Sequence, residues 1–507
     1  MKIKHLVACS VLFLSSFIFA QQYKIESVNY EITGITRKYA LEQKIKIDKK
    51  RIFKTEEDFL NYFNDLRQLF YNERNFANSE LDFTVDEPNS ENLCLVHITA
   101  KTVDSHHFLA VPYPKYNSNS GSNFKLKAKD TNFLGTLETL TADISFQIKK
   151  DDDKKETSHK FGASTDFSIP FPCGPFDAKW INDWSAYYTI GKKAPEYSLS
   201  TGILLSLPFE QFALEWTFKQ SMSRNFDYEV YNDDIYYTEF AKFDVRFTLQ
   251  DLDEFGKVYY TPYTTATYNW DKNGIQKENE DLSSPVFAVG HEITAGRYNW
   301  HGNFRKGLTL SFDQNIGYNT QTYDIIPCVS GEAKIFLDLH VLGMCMDAYA
   351  FASKNSHRKI GERLRGIKDD QKYATGNPEI DGLYATRPDS AVVINMDMPI
   401  HIFTFNFDNW KHFRFMKTFN CELQISPFFD FALLRNRATG TNFYLNDGFY
   451  AGGLEFLVYP QKWRSLVVRA SAGVDLGRLI VPKRFINKEW RSEVSKYEIE
   501  IGVGLHY

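Results

Sequence analysis

Residues Ala241 to Leu249 read Ala-Lys-Phe-Asp-Val-Arg-Phe-Thr-Leu, a strict alternation of apolar and polar side chains. Successive side chains of a β-strand point to opposite faces, so this stretch predicts a strand with one apolar and one polar face. The same alternation occurs from Ala142 to Ile148, from Lys160 to Ile169 and from Lys496 to Tyr507. Alternating segments of about ten residues are typical of a transmembrane β-barrel, apolar toward lipid and polar toward the lumen.

The composition agrees with a folded, mostly β protein. Aromatic residues make up 16% of the 507 residues, which suits the aromatic girdles of a membrane wall, and the net charge of -5 predicts no nucleic-acid partner. A large soluble β-sandwich or propeller also has alternating strands and is the competing interpretation. For residues 108–507, roughly 25 residues for each strand and its connection predict an antiparallel barrel of about 16 strands.

The first twenty residues have the pattern of a secretory signal peptide. Lys2 and Lys4 form a basic start, an apolar stretch from Leu6 to Phe19 follows, and Ala20 is a small residue before Gln21. A membrane anchor needs about 20 apolar residues, and this run is shorter and contains serines. We therefore expect residues 1–20 to be removed on export.

Residues 22–104 predict a small α+β domain. A strand from Tyr23 to Ile32 precedes two helical stretches, of which the second begins at Thr55 with Asp58 three residues later, as in a capping box. Five apolar residues give that helix one apolar face: Phe59, Leu60, Phe63, Leu66 and Phe70. Two further strands follow. This order of strand, helix, helix, strand and strand resembles a POTRA domain, the periplasmic module that precedes certain outer-membrane barrels.

A long connection without apolar periodicity runs from Ser353 to Ser390 between two predicted strands. It contains the tetrapeptide Leu364-Arg365-Gly366-Ile367. Connections of this length are usually functional or disordered.

Several pieces of the chain together resemble the bacterial surface antigen family, the outer-membrane assembly and translocation barrels of the BamA and TamA type. Leu364-Arg365-Gly366-Ile367 is similar to the family's sixth-loop motif, with Ile367 in place of the usual aromatic residue. Residues 114–121 and 130–135 resemble the first two barrel strands, and residues 427–432 and 450–456 resemble two strands after the loop. The resemblance covers nearly the whole chain after residue 20 and implies one POTRA domain in the periplasm of a diderm bacterium.

An arginine carried into the lumen by this loop needs a carboxylate, because a buried unpaired charge is costly. Strand alternation places Asp430 on the inward phase of its strand and Asp397 on the inward phase of another. We predict that Arg365 pairs with Asp430, with Asp397 as a second partner. The family's acidic residue four positions before the proline is Asn395 in this chain.

The resemblance implies insertion or translocation of proteins without chemical catalysis. The first and last barrel strands of this family meet in a weak seam, where client strands can pair with an open edge. The expected partners are unfolded outer-membrane or secreted client proteins, outer-membrane lipids and accessory lipoproteins. The last strand would be both half of the gate and the chain's own assembly signal, with these residues on its apolar face: Tyr497, Ile499, Ile501, Val503, Leu505 and Tyr507.

Two rival functions remain at this stage. A passive porin or surface adhesin would use the same wall, and it predicts a mobile rather than a packed loop between Ser353 and Ser390. An outer-membrane enzyme is the other rival, but the sequence has neither Gly-x-Ser-x-Gly nor His-Glu-x-x-His, and His291-Glu292 lacks the second histidine. The five cysteines after residue 20 are widely spaced and predict neither a disulfide framework nor a metal site. We expect no catalytic residue, metal or cofactor.

Overall fold

The computed structural model describes residues 21–117, 121–151, 156–226, 235–272, 274–275, 282–367, 371–381, 383–408, 419–479 and 497–505. The expected signal peptide and Tyr507 lie outside these residues. The chain divides into two compact units between Asp104 and Ser105.

The first unit is a small α+β domain with six elements. In chain order they are β1 (Gln22–Thr33), α1 (Lys38–Lys44), β2 (Ile52–Phe53), α2 (Glu56–Asn72), β3 (Phe76–Val85) and β4 (Leu93–Asp104). The sheet order is β2-β1-β4-β3, with β1 parallel to β4 and the other pairs antiparallel. The sequence predicted this order except for the two-residue β2, which is too short to show a periodicity.

Helix α2 begins where the capping pattern predicts. The Thr55 hydroxyl oxygen accepts a hydrogen bond from the Asp58 amide at 3.1 Å, which satisfies one of the free donors of the first turn. Four of the five predicted apolar residues are buried against the sheet, whereas Leu60 is 36% exposed. Leu60 was wrongly assigned to the buried face, because it lies at the edge of the apolar stripe.

The second unit is a ring of antiparallel strands. Their bounds are β5 (Phe108–Asn117), β6 (Gly121–Asp130), β7 (Leu140–Asp151), β8 (Glu156–Cys173), β9 (Phe176–Thr189), β10 (Glu196–Pro208), β11 (Phe212–Arg224), β12 (Ile235–Asp251), β13 (Lys257–Trp270), β14 (Val286–His301), β15 (Phe304–Asn319), β16 (Ile325–Asp338), β17 (Gly343–Ser353), β18 (Ser390–Asp397), β19 (Ile400–Phe405), β20 (Cys421–Leu434), β21 (Phe449–Pro460), β22 (Val468–Asp475) and β23 (Tyr497–Val503). A four-residue helix, α3 (Leu476–Leu479), follows β22.

Consecutive strands pair in sequence order, and the ring closes where β23 lies beside β5. Strands β18 and β19 both pair with β20, one after the other, so they are two halves of one strand interrupted at Pro399. Counted in this way, the described residues form a barrel of 18 strands. The sequence predicted about 16, because the connections at one end of the barrel are shorter than assumed.

The two faces of the wall differ as the alternation predicts. On β12, the outward Phe247 and Leu249 are exposed, whereas the inward Lys242 forms an ion pair with Asp244 at 3.0 Å. Closure of the ring satisfies the backbone of every paired strand, which is the requirement of a wall that contacts hydrocarbon. The competing two-sheet sandwich is not found. No helix among the described residues is long and apolar enough to cross a membrane.

The two rims of the barrel have different connections. We call the rim that carries residues 354–389 the loop end, and the opposite rim, where β14 passes into β15 at Gly302, the turn end. Strand lengths also vary around the ring. β14 and β15 have 16 residues each, whereas β22 has eight and β23 seven.

Candidate functional site

The connection between β17 and β18 folds back onto the inner face of the wall. Its apolar side chains form one buried cluster with inward-facing residues of four strands, β17, β18, β20 and β21. The loop contributes Ile360, Leu364, Ile367, Tyr373 and Ala385, and the wall contributes Phe351, Ala391, Val393, Ala432, Leu434, Phe449 and Ala451. The loop is therefore a packed element of the lumen. The sequence predicted that it enters the lumen with Arg365, but not its apolar cluster, because these residues follow neither a helical nor a strand period.

Arg365 lies at the centre of this site and is 4% exposed. Its guanidinium donates from Nε and Nη2 to the two carboxylate oxygens of Asp430, at 2.9 and 2.7 Å. It also donates from Nη1 and Nη2 to Asp397, at 2.6 and 3.2 Å. The Arg365 backbone amide donates to Asp430 at 3.0 Å as well. The structure thus brings Arg365 to both acids that strand alternation selected.

An aromatic ring fixes the orientation of the Arg365 guanidinium. The guanidinium carbon of Arg365 lies 3.8 Å from the centre of the Phe428 ring, two residues before Asp430 on the same inward phase of β20. A planar guanidinium that meets carboxylates at its edge and a ring at its face has little freedom to rotate. The arrangement fixes the position of the loop backbone at residue 365.

The charges continue beyond Arg365 to the last strand. Glu455 of β21 lies 4.0 Å from Arg365 Nη1 and 3.3 Å from Arg469 of β22. Arg469 in turn contacts Glu500 of β23 at 3.1 Å. The sequence analysis missed Glu455, Arg469 and Glu500, although all three lie on the polar phase of their strands. The network links the loop to five strands, β18 and β20 to β23.

Glycines allow the loop backbone to contact the wall backbone. Gly366 has φ +89°, and a Cβ atom built on it would lie 2.5 Å from the Val474 amide nitrogen. A Cβ on Gly473 would likewise lie 2.8 Å from the Gly366 nitrogen. The Gly366 amide also donates to Glu498 of β23 at 3.4 Å. Residue 366 must therefore be glycine both for its conformation and for the close approach.

A second arginine holds the loop on the other side of Arg365. Arg363 Nη1 contacts Glu332 at 2.8 Å and Asp347 at 3.4 Å, and its guanidinium lies over the Tyr349 ring at 4.0 Å. Asn395 donates from Nδ2 to the Arg363 carbonyl at 2.5 Å. Asn395 therefore binds the loop backbone, while Asp397 binds the Arg365 guanidinium.

The predicted gate strand is shorter than expected. Tyr497 and Ile499 are exposed on the outer face, at 50% and 54%, and Ile501 and Val503 share their phase. The strand ends at Val503, and Gly504 adopts φ +105°. Leu505 then packs against a buried cluster that includes Leu457, Tyr459 and Val467. The prediction that Leu505 continues the outward apolar face is therefore wrong, because Gly504 turns the backbone away from the strand direction.

The turn between β21 and β22, residues 461–467, contacts the start of the barrel. Its Trp463 indole nitrogen donates to the Phe108 carbonyl at 2.8 Å, and the Lys462 carbonyl accepts from the His106 amide at 2.8 Å. The Ser465 hydroxyl lies 2.6 Å from that of Thr131, after β6. The turn thus reaches β5 and β6 although β23 stands between them in the strand order.

Neither a metal-holding cluster nor a disulfide is found in the described part of the chain. It contains no cluster of three or more His, Cys, Asp or Glu side chains placed to hold a metal ion. Its five cysteines are free thiols. What the arrangement does is hold a loop inside a barrel.

No family model and no curated protein sequence matches the chain. Solved structures do match over most of its length. CdiB from Acinetobacter baumannii is 12% identical, with 97% of this chain and 80% of that chain covered and a TM-score of 0.46. CdiB from Escherichia coli is 10% identical, with 95% and 76% covered and a TM-score of 0.49. BamA from Haemophilus ducreyi lacking POTRA domains 1–3 is 12% identical, with 95% and 85% covered and a TM-score of 0.39. BamA is one of the two proteins whose type the sequence motifs resemble.

Proposed function

We propose that this chain is an outer-membrane protein that inserts client proteins into the membrane or translocates them across it, through the seam between β5 and β23. The observation that carries the proposal is the combination of a loop packed against the inner wall with a seam at the short described strand β23. A loop held by buried ion pairs lies in the lumen, and among the described residues β23 pairs with β22 over seven positions, Tyr497–Val503.

The physical basis is the chemistry of a strand edge. A wall strand that pairs over few residues exposes amide and carbonyl groups when it separates, and an incoming strand satisfies those groups by taking over the pairing. The outward face of β23 is apolar, so a client strand paired there would turn its own apolar face to lipid. No bond is made or broken in this process, and we propose no catalytic activity.

The small domain has a complementary role in this proposal. It would lie in the periplasm as a single POTRA-like module and receive unfolded clients by strand addition. Strand β3 is at the edge of the domain's sheet, and among the described residues no strand pairs with its outer side. Arg67 of α2 donates to the Leu81 carbonyl on this edge, at 3.0 Å from Nη2. Accessory lipoproteins and outer-membrane lipids would be further partners.

A passive porin or adhesin is the alternative function. It predicts a mobile loop between β17 and β18, whereas the described residues of that loop pack in a buried cluster and form the ion pairs of Arg363 and Arg365. The packed loop favours the client-handling function over free diffusion through the lumen.

A disulfide across the seam tests the proposal. Single cysteines are placed in β5 between Phe108 and Pro112 and in β23 between Tyr497 and Val503, and the pair that crosslinks is selected. A control pair replaces Val289 and Ile316, which are direct neighbours on the outer face of β14 and β15. We expect the seam disulfide to stop client insertion, with recovery on reduction, and the control disulfide to have no effect. Normal insertion by seam-locked protein would reject lateral gating.

A further inference from the structure

The outer face of the wall has a trough across β9 to β14, with a volume of about 570 Å³. Ligand pockets for small molecules commonly measure about 300–1,000 Å³. Its floor includes Ala241 and Ala266, which are direct neighbours on β12 and β13. Its flanks are the exposed rings of Trp180, Phe218 and Phe287. Two adjacent alanines between large aromatic side chains leave the space that makes the trough.

The strand register places this trough on the outer face. Phe218 pairs with Ala241, Ala241 with Ala266, and Ala266 with Phe287, so these side chains share one side of the sheet. The other side carries the inward Lys242 and Asp244. The trough therefore opens away from the lumen, toward whatever surrounds the barrel.

A polar group lies at the loop end of the trough. One step along the strands, Gln220 and Tyr268 flank Glu239, and the Gln220 amide donates to the Glu239 carboxylate at 2.9 Å. One step further, Tyr237 and Trp270 stack with ring centres 4.5 Å apart. Aromatic pairs of this kind mark the interface between hydrocarbon and headgroups in membrane barrels. Glu239 therefore lies at the depth where headgroups begin.

Glu239 carries the negative charge at this end of the trough. Gln220 is a neutral donor, and within the described residues no lysine or arginine forms an ion pair with Glu239. A carboxylate on the lipid-facing side of a wall is unfavourable unless a cation meets it. A trough that is apolar along its length and anionic at its end matches a lipid with an acyl chain and a headgroup that carries an ammonium.

We propose that this trough binds an aminophospholipid, with one acyl chain over Ala241 and Ala266 and the primary ammonium of its headgroup at Glu239. The proposal rests on the membrane location that belongs to the proposed function, and it does not depend on clients or on the seam. Lipids whose headgroup is purely anionic would be repelled by the same carboxylate. A lipid with a quaternary ammonium keeps the charge but loses all three hydrogen-bond donors.

Lipid retention by the purified full chain tests this proposal. The protein is reconstituted with phosphatidylethanolamine or phosphatidylcholine of identical acyl chains and extracted in detergent, and bound lipid is counted by native mass spectrometry. Glu239→Gln removes the charge at constant shape. Ala241→Phe fills the floor. Ala163→Phe, at an outward alanine of β8 outside the trough, adds the same ring as a matched control.

We expect the unchanged protein to retain phosphatidylethanolamine in preference to phosphatidylcholine by roughly five-fold, the size of one net hydrogen bond from the ammonium to Glu239. Glu239→Gln should abolish the preference. Ala241→Phe should lose both lipids, whereas Ala163→Phe should keep them. Equal retention of the two lipids, or no difference between the two phenylalanine variants, would overturn the proposal and leave the insertion function untouched. Protein that never enters bilayers would overturn both.

Discussion

Replacing Arg365 with alanine would leave Asp430 and Asp397 in the lumen without the cation they share. Asp430 is fully buried, and together the two acids accept four hydrogen bonds from the Arg365 guanidinium. Removing one partner of a buried pair costs about 3–5 kcal/mol, because the remaining charge stays desolvated. The ratio of folded to unfolded protein should therefore fall by at least about 100-fold.

The assay is urea unfolding of the protein in lipid vesicles, followed by gel mobility without heating, in which a folded barrel runs ahead of the unfolded chain. Arg435→Ala is the matched control, because Arg435 also belongs to a connection at the loop end and pairs with Asp389 at 3.1 Å, but half of its side chain is exposed. An exposed pair contributes about 0–1 kcal/mol. The double variant Arg365→Ala with Asp430→Ala should cost less than the two single changes combined, since the buried charge is removed with its partner.

The reasoning would be refuted if Arg365→Ala shifted the urea midpoint by no more than Arg435→Ala does. That result would mean that the acids are solvated or neutral in the folded protein, and that the apolar cluster around Leu364 and Ile367 alone holds the loop.

Three further predictions concern single residues. Gly366→Ala should destabilise the barrel more than Gly376→Ala in the same urea assay, because both have positive φ but only at Gly366 does a Cβ meet wall backbone; equal shifts would contradict the close approach. Thr55→Ala should cost about 1 kcal/mol through loss of the helix cap, seen as faster hydrogen exchange in the first turn of α2, and Thr55→Ser should restore protection. The amides and hydroxyl of the turn before Asp381, chiefly those of Thr375, lower the pKa of its carboxyl. The turn should therefore be fully protected above about pH 4 and lose protection as the pH falls through this lowered pKa, whereas unchanged protection factors between pH 5 and pH 2 would count against the assigned hydrogen bonds.

The alternation of side chains predicted the strands of the barrel wall and the two acids that contact Arg365. Every second residue of β18 and of β20 faces the lumen. The alternation of apolar and polar residues therefore identifies Asp397 and Asp430 as inward-facing acids from the sequence alone. This alternation does not predict which inward-facing side chains contact each other in the lumen. For this reason Glu455 and Arg469 could be placed on the inner face but not connected to the loop.

The burial of the loop's apolar side chains could not be predicted from the periodicity of the sequence. Ile360, Leu364 and Ile367 are buried because the barrel closes around them, not because their spacing forms an apolar stripe. The end of β23 was missed for a similar reason, because alternation continues through Leu505 while the left-handed conformation of Gly504 redirects the chain. The two-residue β2 is too short to show a periodicity, and the interruption between β18 and β19 lies at Pro399, which has no backbone N–H for the ladder.

The turn formed by residues 461–467 has a mechanical consequence. Trp463 and Lys462 hydrogen-bond this turn to the backbone at the start of β5. These hydrogen bonds would hold β22 and β5 together at the turn end even if β23 did not pair with β5. If β23 and β5 separate, the gap between them should therefore be widest at the loop end and narrowest near Trp463. An incoming strand would then pair stepwise from the loop end toward Trp463, and the gap would narrow again behind a strand that moves out into the bilayer.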